Sequence, residues 1–405
     1  MSNLAKQFQS LNGLLSRYQY LWRPRAFYQD KLVWETKHKL LLNKLHSLSV
    51  EDVLSIDGNF QALAEFFNDA LPEALTLWEL CQLTQQNTTK DHQSLNAFDK
   101  VDIPGRKWQQ ITAFTNQLNR PQYPIVDWCS GKGHLARISH RIHQQPIHCL
   151  EISKQLCDEG KRLADKQQLP LTFHQHDVLK AIPDHLASSE YCHIALHACG
   201  GLHVSLLRQA SLQQAKQISF SPCCYHKFCD EHYTPLSTMA KQSELHLNRT
   251  DLKLAMEETV TSGRNIRQKR QQELQWRLGY DALQRELNGQ ARYNPLPSIK
   301  KSLLNQDFQS FCEWACDYQQ LALPNNLNVD AYLLKGKKRC HEILRKDLVR
   351  HLFRRPLEIW LVLDRALFLE EMGYQVSINE FCGREITPRN IMVNAIKSKS
   401  TTHHD

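Results

Sequence analysis

Positions 125–136 read Ile-Val-Asp-Trp-Cys-Ser-Gly-Lys-Gly-His-Leu-Ala, and no other dozen residues constrains this chain as much. A short apolar run ends in an acid, and two glycines then open a helix-like segment. Strand, tight glycine turn and helix N-terminus together let a backbone approach a nucleotide-like ligand closely. Gly131 and Gly133 suit that turn because, lacking Cβ, they accept positive φ and leave room for the ligand. Glycine pairs also end strands for purely structural reasons, so the residues beyond the turn decide between the two.

Beyond the turn, short apolar segments alternate with helical ones, the pattern of a parallel sheet built from βαβ units. Strands are expected over 125–127, 147–150, 171–174, 193–197 and 217–221, with helices over 108–118, 154–168 and 203–214. Two further strand-like runs, 374–381 and 390–397, stand at the end. The most hydrophobic stretch, 357–372, is interrupted by Glu358, Asp364, Arg365, Glu370 and Glu371. That excludes a membrane span and reads as a buried helix entered at Pro356 and stopped by Gly373. The expected fold class is α/β, a Rossmann-like sheet closed by an antiparallel hairpin. Five segments are expected: a helical region over 1–100, a sheet over 101–230, a basic helical insertion over 231–355, the last helix and hairpin over 356–397, and a tail over 398–405.

The thirteen cysteines, in so long a chain, do not form the pattern of a secreted disulfide framework. The N-terminal Met-Ser-Asn-Leu-Ala-Lys-Gln holds no apolar run of signal length, so a reducing cytoplasmic location is expected. Net charge is +8 and unevenly placed. Residues 264–301 carry nine basic against three acidic residues, and 335–355 carry nine against two, which leaves the remainder net acidic. Clustering of this kind suggests an anionic polymer as partner, and solvated helix faces produce it too.

Glu151 stands twenty residues after Gly131, at the end of the second expected strand. An acid there accepts hydrogen bonds from the ribose hydroxyls of a nucleoside ligand. Asp177 follows the third strand, so the series edges the crevice at the carboxyl ends of the strands. Gly131 to Ala136 also matches the dinucleotide fingerprint. However, Asp127 precedes the turn, where it would repel a pyrophosphate and attract the cationic amino group and sulfonium of S-adenosylmethionine. S-adenosylmethionine is therefore the favoured cofactor over NAD.

Further motifs carry a specific resemblance. His193-Ile-Ala-Leu-His197-Ala-Cys199-Gly-Gly201 follows the fourth strand, and Ser221-Pro-Cys223-Cys224-Tyr-His226 the fifth. Leu363 to Glu371 and Thr387-Pro-Arg-Asn390 come near the end. Together these resemble the class I methyltransferase family that includes tRNA 2′-O-methyltransferases of the Trm13 type. They are also similar to the methyltransferase-like domain of the glutathione S-transferase C-terminal-domain protein. The resemblance spans roughly 105–230 and 355–397. It implies S-adenosylmethionine held at Asp127, Cys129, Gly131, Gly133, Glu151 and Asp177. Cys129 departs from the commonest class I turn, which has glycine there, in a way that recurs in this family. The Cys-His zinc fingers of the tRNA-modifying relatives are not visible.

Cys199, Cys223 and Cys224 are expected to line the substrate pocket, with His197 and His226 as catalytic proton acceptors. No metal is expected. The spacing is not that of a CxxC pair, and Cys223 and Cys224 point apart if the strand continues. The function read from the chain is methyl transfer from S-adenosylmethionine, with RNA (tRNA or rRNA) as acceptor through 264–301 and 335–355. A small molecule or protein side chain is the alternative acceptor, and an inactive binding protein the alternative class.

Overall fold

A computed structural model describes residues 1–85, 95–96, 98–119, 121–196, 198–257, 264–289, 293–300, 302–324 and 327–398. The chain divides into two compact units, one of residues 1–17, 76–261 and 353–405, the other of 18–75 and 262–352. The units cut across the linear segments 1–100 and 231–355, because each gathers pieces distant in sequence.

The first unit is built on one sheet. Its strands are β1 (Thr84–Gln85), β2 (Ile125–Trp128), β3 (Ile147–Glu151), β4 (Leu171–Gln175), β5 (Cys192–Ala195), β6 (Gln217–Phe220), β7 (Tyr374–Glu380) and β8 (Ile391–Lys397). The order is β1-β7-β8-β6-β5-β2-β3-β4. β4, β3, β2, β5 and β6 run parallel, and β8 lies antiparallel to both β6 and β7. This is the expected Rossmann-like sheet, closed by an antiparallel hairpin. The two-residue edge strand β1, parallel to β7, was not legible in the sequence, being too short to carry a pattern.

β2, β5 and β6 are buried at every residue, as parallel strands covered on both faces must be. Ile125, Ile147 and Ile194 pack with Ile111, Phe114 and Ile138 of the flanking helices Gly105–Asn116 and His134–His143. The chain leaves β2 toward β3 and β4 on one side, then crosses to β5 and β6 on the other. β2 and β5 are neighbours, Asp127 opposite Ile194, so a crevice opens beyond their carboxyl ends.

The buried helix forms as Arg354–Glu371, starting two residues before Pro356 and ended by Gly373 at φ +79°. Its ionic residues are buried only with partners, as desolvation demands. Arg355 donates to Glu358 at 2.8 Å. Asp364 accepts from the Ser237 amide at 2.8 Å, from the Ser237 hydroxyl at 2.7 Å and from Tyr233. The N-terminal helix Asn3–Arg17 packs on this same helix, with Phe8 5.2 Å from Trp360 and Trp360 Nε1 donating to Asn12 at 3.0 Å.

In the second unit the helices Arg264–Asn288 and Val329–His351 pass at a glycine crossing. A Cβ on Gly336 would lie 2.3 Å from the Gln275 carbonyl and 2.6 Å from the Gly279 nitrogen. Much of the unit's positive charge is neutralised internally. Asp281 pairs with Arg285 and Arg339, Glu286 with Lys335, Glu273 with Arg277, and Glu35 with Lys346.

Candidate functional site

The turn after β2 is left-handed at three residues: Cys129 at φ +56°, Gly131 at +58° and Gly133 at +68°. Cys129 adopts without glycine a conformation that few L-residues take. A Cβ on Gly131 would meet nothing within 4 Å, so that face of the turn is open to a ligand. One on Gly133 would stand 2.7 Å from the ring of Phe173. The first glycine is thus required by the turn, and the second also by packing against β4. Gly133 caps the helix His134–His143 in a left-handed conformation.

Glu151 closes the turn from β3. Its Oε2 accepts the Gly131 N–H at 3.0 Å and its Oε1 the Ser153 N–H at 2.9 Å. The His176 N–H donates to the Glu151 carbonyl at 2.9 Å, which ties the end of β4 to β3. Asp177 comes next, partly exposed, with Oδ1 accepting the Leu179 N–H at 3.1 Å. The series of acids therefore edges one end of the sheet. Cys129 sits among them: burial first, then Glu151, Asp127, Cys199 and Asp177, push its thiol up to about 12. Its surroundings therefore favour the neutral thiol.

Asp127 is 2% exposed, and its Oδ2 has no hydrogen-bond partner. Burial pushes its carboxyl up to about 8, with the Lys107 ammonium and the Ala136 N–H pulling it part of the way back. Lys107 is itself held below the usual lysine range, by burial more than Asp127 offsets. Sequence reading missed Lys107, since nothing in the polar pattern of its helix marks a lysine that faces a strand end. A buried carboxylate oxygen without a donor beside an open glycine turn fits the cationic amino group of S-adenosylmethionine. Glu151 fits its ribose.

Across the crevice, the loops after β5 and β6 lock together. Gly200 N–H donates to the Cys223 carbonyl and Gly201 N–H to the Lys227 carbonyl, each at 3.0 Å. Gly200 is at φ +55°, and a Cβ there would lie 1.9 Å from the Lys227 oxygen. β6 ends at Phe220, and Cys224 turns left-handed at φ +46°. The adjacent cysteines consequently do not point apart. Cys199 Sγ lies 3.5 Å from Cys223 Sγ, and the three thiols of Cys199, Cys223 and Cys224 lie within 4.8 Å of one another. Hydrogen bonds from Cys199 and then Cys223 hold the Cys224 thiol well below its usual range.

Both loops are anchored from behind. His203 Nδ1 bonds the Ala198 carbonyl at 3.0 Å while its Nε2 accepts from Arg365 at 2.7 Å. The Arg365 guanidinium also lies 4.9 Å from the Tyr225 ring centre. Ser221 donates to the Arg389 carbonyl at 3.2 Å, which brings the Thr387–Asn390 motif to the same place. A cavity of about 470 Å³ behind these loops is lined by Gly200, Arg208, Tyr225 and Cys229, among others, and by no residue of the turn after β2.

His226 is partly buried, its Nδ1 enclosed without a hydrogen-bond partner, and burial lowers its pKa. It is neutral at pH 7 and able to take a proton. His197 lies outside the described residues. His193, earlier in the same motif, is structural: Trp128 Nε1 donates to its Nδ1 at 2.9 Å, and burial lowers its pKa to about 3.

Residues 106–231 match a sequence family described as a methyltransferase domain. In sequence this part of the chain resembles a methyltransferase domain. Among curated proteins the domain is similar to a glutathione S-transferase C-terminal domain-containing protein of Xenopus laevis, 26% identical over 125 residues. That match spans 30% of this chain and only 19% of the relative. Among solved structures it is similar to the geranyl diphosphate C-methyltransferase of Streptomyces coelicolor A3(2), at 15% identity and TM-score 0.26 over 28% of this chain and 45% of that one. TrmN of Thermus thermophilus is similar at 15% identity and TM-score 0.26, over 31% and 41%. Likenesses so slight carry no argument about substrate. No helix among the described residues is long and apolar enough to cross a membrane.

Proposed function

We propose that the protein transfers a methyl group from S-adenosylmethionine to RNA, with tRNA or rRNA as acceptor. The observation that carries the donor half is the partnerless Oδ2 of buried Asp127 beside the open turn at Gly131. Asp127 receives the donor's amino group, and Glu151 accepts its ribose hydroxyls with the lone pairs that Gly131 and Ser153 leave free. Asp177 offers its second oxygen to the base. When bound, S-adenosylmethionine supplies an electrophilic methyl group whose transfer depends mainly on alignment with the attacking electron pair. The locked loops at Cys199 and Cys223–Cys224 hold the acceptor on the other side, and His226, neutral at pH 7, receives its proton. His197 is proposed for the same role.

The acceptor half rests on charge. Arg267, Arg270, Lys300, Lys337 and Lys338 are exposed, and they supply phosphate contacts. The internal pairing of Arg285, Arg339, Lys335 and Lys346 favours the second reading, a small-molecule acceptor. Incubation with methyl-labelled S-adenosylmethionine and a cell extract, followed by separation of RNA, protein and small molecules, tests both. Label in RNA supports the proposal. Label confined to small molecules selects the second reading, and no label in any fraction rejects both.

A further inference from the structure

We propose that Cys199, Cys223 and Cys224 bind one zinc(II) ion as three thiolates, with the fourth tetrahedral position left for water or an acceptor atom. Four sulfurs around zinc, each about 2.3 Å from the ion, stand about 3.7 Å apart. Cys199 and Cys223 are 3.5 Å apart, and all three sulfurs lie within 4.8 Å of one another. This is coordination spacing. A disulfide brings its sulfurs to about 2 Å, and among the described residues, which include every cysteine, all are free.

The backbone is arranged to keep the sulfurs together. Cys223 and Cys224 are adjacent and would diverge in any extended strand. The left-handed turn at Cys224 brings the second thiol round to the first. Cys199 is set opposite them by the Gly200 amide on the Cys223 carbonyl, in a crossing so close that only glycine fits. Three thiolates gain a soft cation, and thiolate sites select zinc over the hard cations.

Three protein ligands, rather than four, mark an open site. Cys223 is buried, while Cys199 and Cys224 are partly exposed, so the site has a solvent side. Cys199 follows β5, the strand paired with β2, which places the cluster at the same sheet end as the donor turn.

Metal analysis of the full chain tests this without any cofactor, so its outcome is independent of the methyltransferase reading. Purified under reducing conditions with zinc, the protein is expected to retain one equivalent, Cys199→Ser and Cys224→Ser to lose it, and Cys129→Ser to keep it. Cobalt(II) in place of zinc is expected to give the sulfur-to-metal charge-transfer absorption of thiolate ligands, absent from the Cys199→Ser/Cys224→Ser double variant. Far-ultraviolet circular dichroism checks that the variants fold, and zinc is expected to protect the three thiols from alkylation in the wild type. A folded wild-type chain that holds no more zinc or cobalt than the double variant, and whose thiols alkylate equally with and without zinc, overturns the proposal.

Discussion

The backbone N–H of Gly131 donates to Oε2 of Glu151 at 3.0 Å, so the turn after β2 is pinned by the carboxylate that ends β3. Twenty residues of sequence separation become one hydrogen bond. Glu151→Ala leaves the amides of Gly131 and Ser153 without their acceptor and removes the proposed ribose contact. Hydrogen bonds to a charged group are each worth about 1.5–3 kcal/mol, so S-adenosylmethionine affinity is expected to fall by about 100-fold. Glu151→Gln, which keeps one acceptor oxygen, is expected to fall by less. Equilibrium dialysis with labelled cofactor measures both, and equal affinity in Glu151→Ala and wild type contradicts the assignment.

Asp127 makes a pH prediction. Its carboxyl sits at about 8 in the fold against an ordinary value of 3.8, because burial disfavours the charge. Between those values the folded state binds a proton that the unfolded state has lost, so stability falls as pH rises through the window. Denaturation midpoints of the wild type are expected to drop from pH 5 to pH 8 more than those of Asp127→Asn. The cofactor's cationic group favours the ionised carboxylate, so affinity is expected to climb with pH toward about 8 in wild type. A slope no different in Asp127→Asn removes Asp127 from the cofactor site.

Gly133 serves packing as well as the turn. In Gly133→Ala the new methyl meets Phe173 Cζ at 2.7 Å, at a residue already held at φ +68°. Left-handed strain costs about 1–2 kcal/mol before the clash is counted. Urea unfolding is expected to show a loss of at least that size, partly recovered by Phe173→Leu. Gly131→Ala carries the strain without the clash and is expected to lose less stability while still losing cofactor affinity.

Trp128 and His193 are a second lock, between β2 and β5. Trp128→Phe strands the buried Nδ1 of His193, a penalty of about 1–3 kcal/mol that chemical denaturation reads directly. Unchanged stability would mean that the indole N–H contributes nothing to the pairing of these strands.

The parts of this fold legible in the sequence are those set by local pattern. Five apolar runs bounded by turns gave β2 to β6 within a residue or two, and Pro356 with Gly373 marked the buried helix. Cys129, in place of the usual glycine, proved to be the left-handed start of the turn. The rest is set by contacts between distant residues. Residues 18–75 joining 262–352 leaves no local trace. Neither does Lys107 beside Asp127, nor the turn at Cys224 that brings two neighbouring thiols to the same side. Charge counting overstated the free basic surface for the same reason, since partners such as Asp30 of Arg285 and Glu35 of Lys346 are far away in sequence.

If RNA is the acceptor, the exposed Arg267 and Arg270 take phosphates. Their reversal to Glu is expected to weaken RNA binding across sequences and to flatten its salt dependence, without changing cofactor affinity. Filter binding at several salt concentrations measures this. A steep salt slope retained in the double reversal places the contact elsewhere.

Calorimetric titration of the full chain with S-adenosylmethionine, set beside NAD and repeated with Glu151→Ala, tests the central claim most directly. The account predicts saturable heat at one site with S-adenosylmethionine, none with NAD, and a severe loss of affinity in the folded variant. Heat with NAD alone, or S-adenosylmethionine binding untouched by Glu151→Ala, contradicts it.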